Sequence, residues 1–394
     1  MSAEQPSPAP TAPSDRIVSL DVLRGVALLG ILLVNIWVFA MPEAVLLNPT
    51  VYGDFTGWNY FSWLVTHIFV EQKMISLFTM LFGAGVLLFT TEKERAVRLF
   101  QRRNAWLLII GLAHAYLLWY GDILVAYALC GLLVVYLRHW PPLRLFLLGI
   151  GFIGIISVSE VLVALTAGAD IIREQWEPAT AALQSEVQTY RSGWVEQTEH
   201  RVPTAFTRQT SGFINYSAWR VGGLMCIGMA LYKSGFLTND RSTKTYFALA
   251  IGGSAIGILT TSIGVWYIAA MQWQAEYALL WRQFNYWGSL ALAGGYIGIV
   301  MLWCRLWATG VVSQSLAAVG RLALTNYLLQ SVLATFVFYG HGLGLFGQVS
   351  RIEMVGVVLA IWAIQIPVSV LWLRYFRYGP IEWIWRSLTY GQRP

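Results

Sequence analysis

The chain has 394 residues, of which 57% are hydrophobic and only 12% are charged. An average soluble domain carries about 25% charged residues, so this composition excludes a soluble globule, a disordered chain and a coiled coil. Long apolar runs, rather than alternating segments of about ten residues, also exclude a β-barrel. The formal net charge is +6, but the basic residues lie between the apolar runs, so we expect a lipid bilayer and no nucleic acid as partner.

Residues 1–15 are rich in proline, alanine and serine and are predicted to form a disordered tail rather than a signal peptide. A single transmembrane domain is expected over 16–376, with one large outer loop at 169–212. Residues 377–394 are expected to form a C-terminal segment on the cytoplasmic side.

The apolar runs predict an all-α, polytopic membrane protein with about ten transmembrane helices, because a span needs about 20 mostly apolar residues. The predicted spans are 19–40, 66–90, 104–120, 123–138, 143–167, 213–233, 245–270, 283–304, 313–338 and 354–374. The second span continues a helical pattern that starts near Trp58. Small residues repeat at Gly253-xxx-Gly257 and Gly294-xxx-Gly298, which favours close helix packing within the chain over a homodimer face, although a dimer stays open.

The distribution of lysine and arginine predicts the orientation. If the N-terminus is cytoplasmic, 16 of the 26 basic residues lie on the inner side and six on the outer side. Both termini are then cytoplasmic, since the number of spans is even. The pattern of the outer loop 169–212 predicts an amphipathic helix that lies over the outer face.

Polar side chains within a bilayer are costly and therefore mark candidate sites. Asp21 and Arg24 share a helix face at the inner end of the first span. They form either an interfacial ion pair or, through Arg24, a cation site for a phosphate-bearing ligand. Asn35 lies about three turns further along and makes either an interhelical hydrogen bond or a contact with substrate.

His67 and Glu71 are four residues apart on the second span, in WLVTHIFVEQKM. This spacing places both on one helix face, where the carboxylate can accept the imidazole N–H and raise its basicity. The alternative is a hydrated pair at the outer interface. Lys73 is expected to point away from both of them.

His114 lies within the third span, and Asp122 opens the fourth helix after Gly121. His114 is either a buried packing residue or a catalytic group, and Asp122 is either a helix N-cap or a catalytic group. Straight antiparallel helices would separate the two side chains by roughly 12 Å, so we do not expect a direct contact.

Three further spans carry polar side chains. Glu160 and Arg220, on the fifth and sixth spans, are candidates for pairing with each other and for substrate binding. Arg321 and Asn326 lie on the ninth span, in VGRLALTNYLLQS. Arginine is the usual partner of phosphate or carboxylate groups, and interhelical hydrogen bonding is the alternative for each residue.

Several kinds of site are not expected. The sequence contains no nucleotide-binding loop, no HExxH and no GxSxG motif. The three cysteines, Cys130, Cys226 and Cys304, lie inside apolar runs without partners at ligand spacing, so we expect neither a disulfide nor a cysteine metal site. Paired histidines on one helix, which stacked haems need, are missing, and we expect no metal and no haem.

Five segments resemble the DUF418 (YeiB-like) family of bacterial inner-membrane proteins. They are SLDVLRGVALLGILLVN at 19–35, HIFVEQKMISLFTMLFGAGV at 67–86, GLAHAYLLWYGDILVAYALCG at 111–131, GRLALTNYLLQS at 320–331 and GPIEWIWRSLTYG at 379–391. Together they span essentially all of 16–391. The resemblance implies a multi-pass protein of the bacterial inner membrane.

The opening segment is also similar to a wider group of transmembrane acyltransferases that includes the lysosomal heparan-glucosaminide N-acetyltransferase. This similarity implies an acyl-CoA donor from the cytoplasm, a central channel and a histidine near the far face. In the acetyltransferase that histidine follows the first span, whereas the matching segment here is 41–66 and its outer stretch, 41–60, contains no histidine. His67 is the nearest candidate.

Two functions follow as hypotheses. The first is a membrane acyltransferase that moves an acyl group from cytoplasmic acyl-CoA to a small-molecule, lipid or glycan acceptor at the outer face. In that hypothesis His67 is the base or acyl carrier, oriented by Glu71 and assisted by His114, and Arg24 and Arg321 bind the CoA phosphates. The second is a transporter or flippase without covalent chemistry, which would use intramembrane arginine, glutamate and histidine.

Overall fold

The computed structural model describes residues 17–90, 96–166 and 170–392, and the regular structure in these ranges is entirely helical. The predicted tail 1–15 lies outside the described residues. In chain order the helices are α1 Val18–Ala40, α2 Gly57–Phe69, α3 Lys73–Thr90, α4 Ala96–Ala113, α5 Leu124–Val134, α6 Pro142–Thr166, α7 Asp170–Trp176, α8 Thr180–Arg191, α9 Thr198–Gln209, α10 Ala218–Lys233, α11 Thr243–Ala270, α12 Ala278–Trp307, α13 Val311–Arg321, α14 Ala323–Phe338, α15 Arg351–Tyr375 and α16 Pro380–Tyr390.

The prediction of an all-α, polytopic membrane protein is confirmed. Six helical stretches among the described residues are long and apolar enough to cross a bilayer, and the bent pair α13–α14 makes a seventh if it counts as one span. Every predicted span overlaps one of the helices. However, α4, α5 and α10, in the predicted spans 104–120, 123–138 and 213–233, are shorter or more polar than the other seven.

Helix α1 lies at the centre of the bundle, in contact with α3, α12, α13, α14 and α15. Its backbone touches that of α13 at two glycines. A Cβ atom at Gly25 would lie 2.0 Å from the carbonyl oxygen of Leu316, and one at Gly320 would lie 2.0 Å from that of Asp21. Any larger side chain at either position would therefore push the two helices apart.

The chain bends by 82° between α13 and α14, at Leu322. Glu382 of α16 lies at this bend. Its Oε1 accepts the backbone N–H groups of Leu324 and Thr325 at 2.8 and 3.0 Å. A carboxylate at a helix N-terminus satisfies free N–H groups and complements the helix dipole, so α16 stabilises the start of α14.

The long helix predicted from about Trp58 to residue 90 is broken. Helix α2 ends at Phe69 and α3 begins at Lys73, with Gln72 in the left-handed region at φ 65°. The periodicity of the sequence continues through the break, which is why the sequence predicts one helix. The two helices still belong to one apolar stretch, Gly57–Thr90, and the break lies directly after His67 and includes Glu71.

Residues 170–212 cover one end of the bundle, and we refer to them as the cover and to this end as the loop-side end. The expected amphipathic helix is present as α8, which buries Leu183, Val187 and Tyr190, and it is flanked by α7 and α9. The cover is tied to the bundle by a hydrogen bond from the Gly340 N–H to the carbonyl oxygen of Tyr190, 2.8 Å long. The opposite end, with the 234–242 loop and α16, is the basic end.

The repeated small residues pack α11 against α12 within the chain. A Cβ atom at Gly257 would lie 2.7 Å from the carbonyl oxygen of Gly288, and one at Gly298 would lie 2.7 Å from that of Tyr246. The observed role of these glycines is therefore intramolecular, as their spacing favoured.

Candidate functional site

The end of α4 carries His114 into direct contact with Asp122. Residues His114–Leu118 form a π-helical turn, after which the chain reverses before α5. Nδ1 of His114 lies 2.7 Å from Oδ2 of Asp122, and each side chain is 1% exposed. The expected separation of roughly 12 Å was wrong, because it assumed two straight helices and no π-helical turn.

Ser331 completes this arrangement from α14, 217 positions away in the chain. Its Oγ lies 2.9 Å from Nε2 of His114. Because an ionised carboxylate only accepts hydrogen bonds, Asp122 fixes the imidazole proton on Nδ1 and leaves the Nε2 lone pair facing the serine hydroxyl. The other oxygen of Asp122, Oδ1, accepts the N–H of Val125 at 2.8 Å and caps α5, so both interpretations of Asp122 apply.

Two aromatic residues surround this hydrogen-bonded chain. The ring of Tyr327 lies 5.1 Å from that of His114, and the ring of Trp119 lies 6.3 Å from it. The Tyr327 hydroxyl and the Trp119 indole N–H are buried and make no hydrogen bond within the described ranges. The indole N–H of Trp119 and the hydroxyl proton of Tyr327 are thus available as donors beside His114.

The second histidine–carboxylate pair forms as its spacing predicts. Nδ1 of His67 lies 2.6 Å from Oε2 of Glu71; His67 is 2% exposed, whereas the Glu71 side chain is 16% exposed. The histidine is therefore buried and the carboxylate is partly exposed. The imidazole lies between the indole rings of Trp63 and Trp281, at 4.9 and 5.5 Å. Its Nε2 is buried and makes no hydrogen bond to the described residues.

We expected Lys73 to point away from this pair. The structure shows that it does not. The break after α2 lets its Nζ donate to the carbonyl oxygen of His67 at 2.6 Å and to Oδ1 of Asn285. Lys73 is 0% exposed. The expectation assumed a continuous helix, in which residues six apart do not meet.

Arg220 lies further along the same interface, between α10, α3 and α12. Its guanidinium covers the ring of Tyr286 at 3.9 Å and donates to the hydroxyls of Ser289 and Ser76, at 3.0 and 3.3 Å. Within the described ranges no carboxylate lies within 4 Å of Arg220 or Lys73.

Glu160 does not pair with Arg220. It accepts from Arg282 at 3.2 Å and from the side-chain amide of Gln283 at 2.7 Å. The structure therefore separates the two residues that the sequence offered as a pair, because an arginine on α12 lies closer to Glu160.

The remaining predicted site residues lie toward the basic end and on α1. Arg24 forms the expected ion pair with Asp21, at 2.8 Å, and its side chain is 28% exposed. Arg321 follows Gly320, the residue whose backbone touches α1 beside Asp21. The arginines of α1 and α13 therefore start from adjoining stretches of backbone.

Asn326 and Asn35 have different surroundings. The side-chain amide of Asn326 donates to Ser369 at 2.9 Å, and the backbone carbonyl oxygen of Asn326 accepts from Gln365 at 2.9 Å. These contacts join α14 to α15. Asn35 is half-buried on α1. The next residue, Ile36, belongs to the apolar core that also contains Trp119 and Tyr190.

The loop-side end carries a further group of titratable residues. Glu43 pairs with Arg208, and its N–H donates to Glu186 at 3.0 Å. Burial raises the pKa of Glu186 to about 7, with a further contribution from the charge of Glu43. Glu186 and His200 line a cavity of about 310 Å³.

Sequence reasoning missed Ser331 and Lys73. A serine within an apolar helix commonly bonds to its own backbone, so Ser331 carries no distinct signal. One indication was present, since Gln330 lies one helical turn after Asn326 and extends a polar face along the ninth span. Lys73 could be placed only once the helix break was known.

Comparison with known proteins establishes the family. A sequence profile described as "Protein of unknown function (DUF418)" matches residues 231–392. The chain is 36% identical to the "Uncharacterized protein YeiB" of Escherichia coli (strain K12) over 392 residues, which are 95% of this chain and 96% of the relative. The chain belongs to the DUF418 family. The resemblance to the DUF418 family is thereby confirmed.

Two more relatives extend over nearly the whole chain. The "Uncharacterized protein YxaH" of Bacillus subtilis (strain 168) is 32% identical over 97% of this chain and 96% of its own length. A 39.9 kDa protein of Bacillus acidopullulyticus is 28% identical over 98% and 96%. These names state no activity, so the function of this DUF418 protein has to be inferred from its geometry.

Proposed function

We propose that this DUF418 protein is a membrane-embedded acyltransferase, which moves an acyl group from acyl-CoA to an acceptor on the other side of a bacterial inner membrane. The observation that carries the proposal is the hydrogen-bonded chain from Ser331 through His114 to Asp122. A hydroxyl, a base and a carboxylate that orients the base are the groups that acyl transfer through a serine ester requires.

In the first step, Nε2 of His114 accepts the proton of Ser331 while Oγ attacks the thioester carbonyl carbon. The carbon–sulfur bond breaks, the CoA thiolate takes the proton from His114, and Ser331 carries the acyl group as an ester. In the second step, His114 accepts a proton from the acceptor hydroxyl or amine, which attacks the ester. The proton then returns to Oγ of Ser331 as the acylated acceptor leaves.

The tetrahedral intermediate of each step places a negative charge on the former carbonyl oxygen. Donors that are already oriented toward that oxygen stabilise it, and losing one costs about 10²–10³-fold in rate. The Tyr327 hydroxyl and the Trp119 indole N–H donate to no acceptor among the described residues and lie beside His114. We assign them this role.

The other polar groups are assigned by their position. His67 is paired with Glu71 through Nδ1, and its Nε2 has no partner in the described chain. We assign His67 to the binding of the acceptor through Nε2. Arg24 and Arg321 lie on adjoining helices toward the basic end, where we place the CoA phosphates. With a cytoplasmic N-terminus, the donor enters from the cytoplasm and the acceptor from the loop-side end.

Labelling with a fluorophosphonate probe, which reacts with activated serine hydroxyls, tests the proposal. We expect the purified protein to be labelled at Ser331, Ser331→Ala to lose the label and His114→Ala to react at least a hundredfold more slowly. Ser369→Ala is the matched control, since Ser369 is also buried but bonds to Asn326. A label on another serine, or none, would overturn the proposed nucleophile.

A carrier without covalent chemistry is the second candidate, and the buried cations favour it. The groups that Lys73 and Arg220 contact among the described residues are neutral. An anionic cargo could therefore neutralise both positive charges. The two functions differ in donor binding. The acyltransferase should be thermally stabilised by acyl-CoA more than by free CoA, whereas the carrier should make no such distinction.

A further inference from the structure

Arg201 of α9 lies on the inner side of the cover and is 0% exposed. Its Nε donates to the carbonyl oxygen of Tyr116, 2.9 Å away, within the π-helical turn that begins at His114. The guanidinium lies 4.9 Å from the ring of Trp194, whose indole N–H donates to Leu117 in the same turn at 2.8 Å. These contacts hold the guanidinium against the turn.

The other two nitrogens of Arg201, Nη1 and Nη2, are buried and make no hydrogen bond in the parts of the chain that the structure describes. No carboxylate in those parts forms an ion pair with Arg201. A guanidinium has five N–H donors in a planar fork and stays charged at physiological pH. A buried cation of this kind requires an anionic partner or several acceptors.

Other buried polar groups near Arg201 also lack partners among the described residues, including an acceptor, the side-chain oxygen of Gln197 one turn earlier. The hydroxyls of Tyr339 and Tyr120 are also buried without a partner among the described residues. Tyr190 lies between them, with its ring 4.6 Å from that of Tyr339 and 6.3 Å from that of Tyr120. Burial and the charge of Arg201 lower the pKa of His341, which is therefore neutral at pH 7.

The nearby carboxyl groups do not neutralise Arg201. Glu43 is held by Arg208, and the pKa of Glu186 is raised to about 7. Glu186 and His200, the residue before Arg201, line the cavity at the loop-side end, which offers an approach from that side.

We propose that Arg201, together with the hydroxyl of Tyr339, binds an oxyanion, a carboxylate or a phosphate group, of a ligand that enters from the loop-side end. The guanidinium fork matches either group in a bidentate contact. The site exists independently of the chemistry at Ser331. If the proposed acyl transfer is correct, the anionic ligand is the acceptor. This identity of the ligand rests on the proposed function.

Thermal unfolding of the purified protein tests the site. Benzoate and inorganic phosphate are titrated separately, against sodium chloride at the same ionic strength. We expect at least one of them to raise the unfolding midpoint by several degrees more than chloride, because a ligand that binds only the folded state stabilises it. A response to benzoate alone assigns a carboxylate, and a response to phosphate alone assigns a phosphate.

Two variants and a control locate the response. Arg201→Gln should abolish it, while Arg173→Gln should keep it, since Arg173 is an exposed arginine of the same cover paired with Glu276. If Arg201→Gln does not fold, Tyr339→Phe keeps the charge and removes one donor, and it should raise the half-saturating concentration about three- to tenfold.

Three results would overturn the anion site: equal effects of both anions and chloride, a response that survives in Arg201→Gln, or an unchanged response in Tyr339→Phe. Ser331→Ala separates this proposal from the acyl transfer. It should bind the anion as the unaltered protein does, even though it cannot form the serine ester.

Discussion

Lys73 donates a hydrogen bond to the backbone carbonyl oxygen of His67, 2.6 Å long, across the break between α2 and α3. The same ammonium group donates to the side chain of Asn285 on α12. Because α2 ends at Phe69, the carbonyl groups of its last turn lack helical partners. Lys73 satisfies one of these carbonyl groups. It thereby fixes the position of His67, whose imidazole lies between the indole rings of Trp63 and Trp281.

Replacing Lys73 by methionine tests this arrangement. Lys73→Met keeps the length of the side chain but leaves the His67 carbonyl and Asn285 Oδ1 without their donor. We expect a loss of about 1–3 kcal/mol in stability, since an unsatisfied buried acceptor costs about that much. The double variant Lys73→Met/Asn285→Leu should recover part of the loss because it removes one orphaned acceptor. Equal thermal stability of Lys73→Met and the unaltered protein would contradict the assigned role.

Glu186 predicts a pH dependence of stability. Burial raises its pKa in the folded protein from 4.5 to about 7, so the folded state binds a proton that the unfolded state has released. Stability should therefore fall as the pH rises from about 4.5 to 7 and change little through this group above that range. Glu186→Gln should remove this fall and make the protein more stable than the unaltered form at pH 8, by up to about 3 kcal/mol.

Thermal unfolding measured between pH 5 and pH 8 checks this sign. The difference in unfolding midpoint between Glu186→Gln and the unaltered protein should grow across that interval. Glu199→Gln is a suitable control, because Glu199 is an exposed glutamate of the same cover. A constant difference at all pH values would show that Glu186 is ionised in the folded protein throughout.

The basic end is expected to bind the phosphates of acyl-CoA. Arg321→Ala should weaken acyl-CoA binding by about 10–100-fold, since a hydrogen bond to a charged group contributes about 1.5–3 kcal/mol. Lys244→Ala, at an exposed position of the same end, should change the dissociation constant less than twofold. Calorimetric titration gives both values, and similar affinities for the two variants would remove Arg321 from the site.

The orientation in the membrane is testable by cysteine labelling in intact cells. A membrane-impermeant reagent should modify a cysteine at Gln188 in the cover and should not modify one at Lys244, because the basic end is expected to face the cytoplasm. The native cysteines Cys130, Cys226 and Cys304 are buried and should not react. Labelling at Lys244 with protection at Gln188 would reverse the topology.

Regular helical geometry explains which parts of the site were predictable from the sequence. The contact between His67 and Glu71 follows from a spacing of four residues within one uninterrupted helix. The contact between His114 and Asp122 does not, because it depends on a π-helical turn that inserts an irregular step into α4. Apolar periodicity reveals the spans but carries no signal for such a turn.

Long-range contacts were the least predictable part of the site. Ser331 reaches His114 only because α14 packs beside the end of α4, and Arg282 replaces Arg220 at Glu160 for a similar reason. A sequence indicates which helices are amphipathic or polar, but not which of several buried helices become neighbours. The sequence hypothesis, with His67 as the base and His114 assisting it, differs here from the proposal made above, in which His114 is the base.

The most direct test of the central claim is to detect the acyl group on Ser331. The purified protein is incubated with isotopically labelled acetyl-CoA, quenched in acid and digested, and the peptides are analysed by mass spectrometry. We predict a labelled ester on Ser331, absent from Ser331→Ala and reduced at least a hundredfold in rate in His114→Ala. His67→Ala should still form this ester and fail to pass it to the acceptor. If His114→Ala forms the ester as fast as the unaltered protein, or Ser331 never carries the label while His67 does, the account of Ser331, His114 and Asp122 as the reacting groups is contradicted.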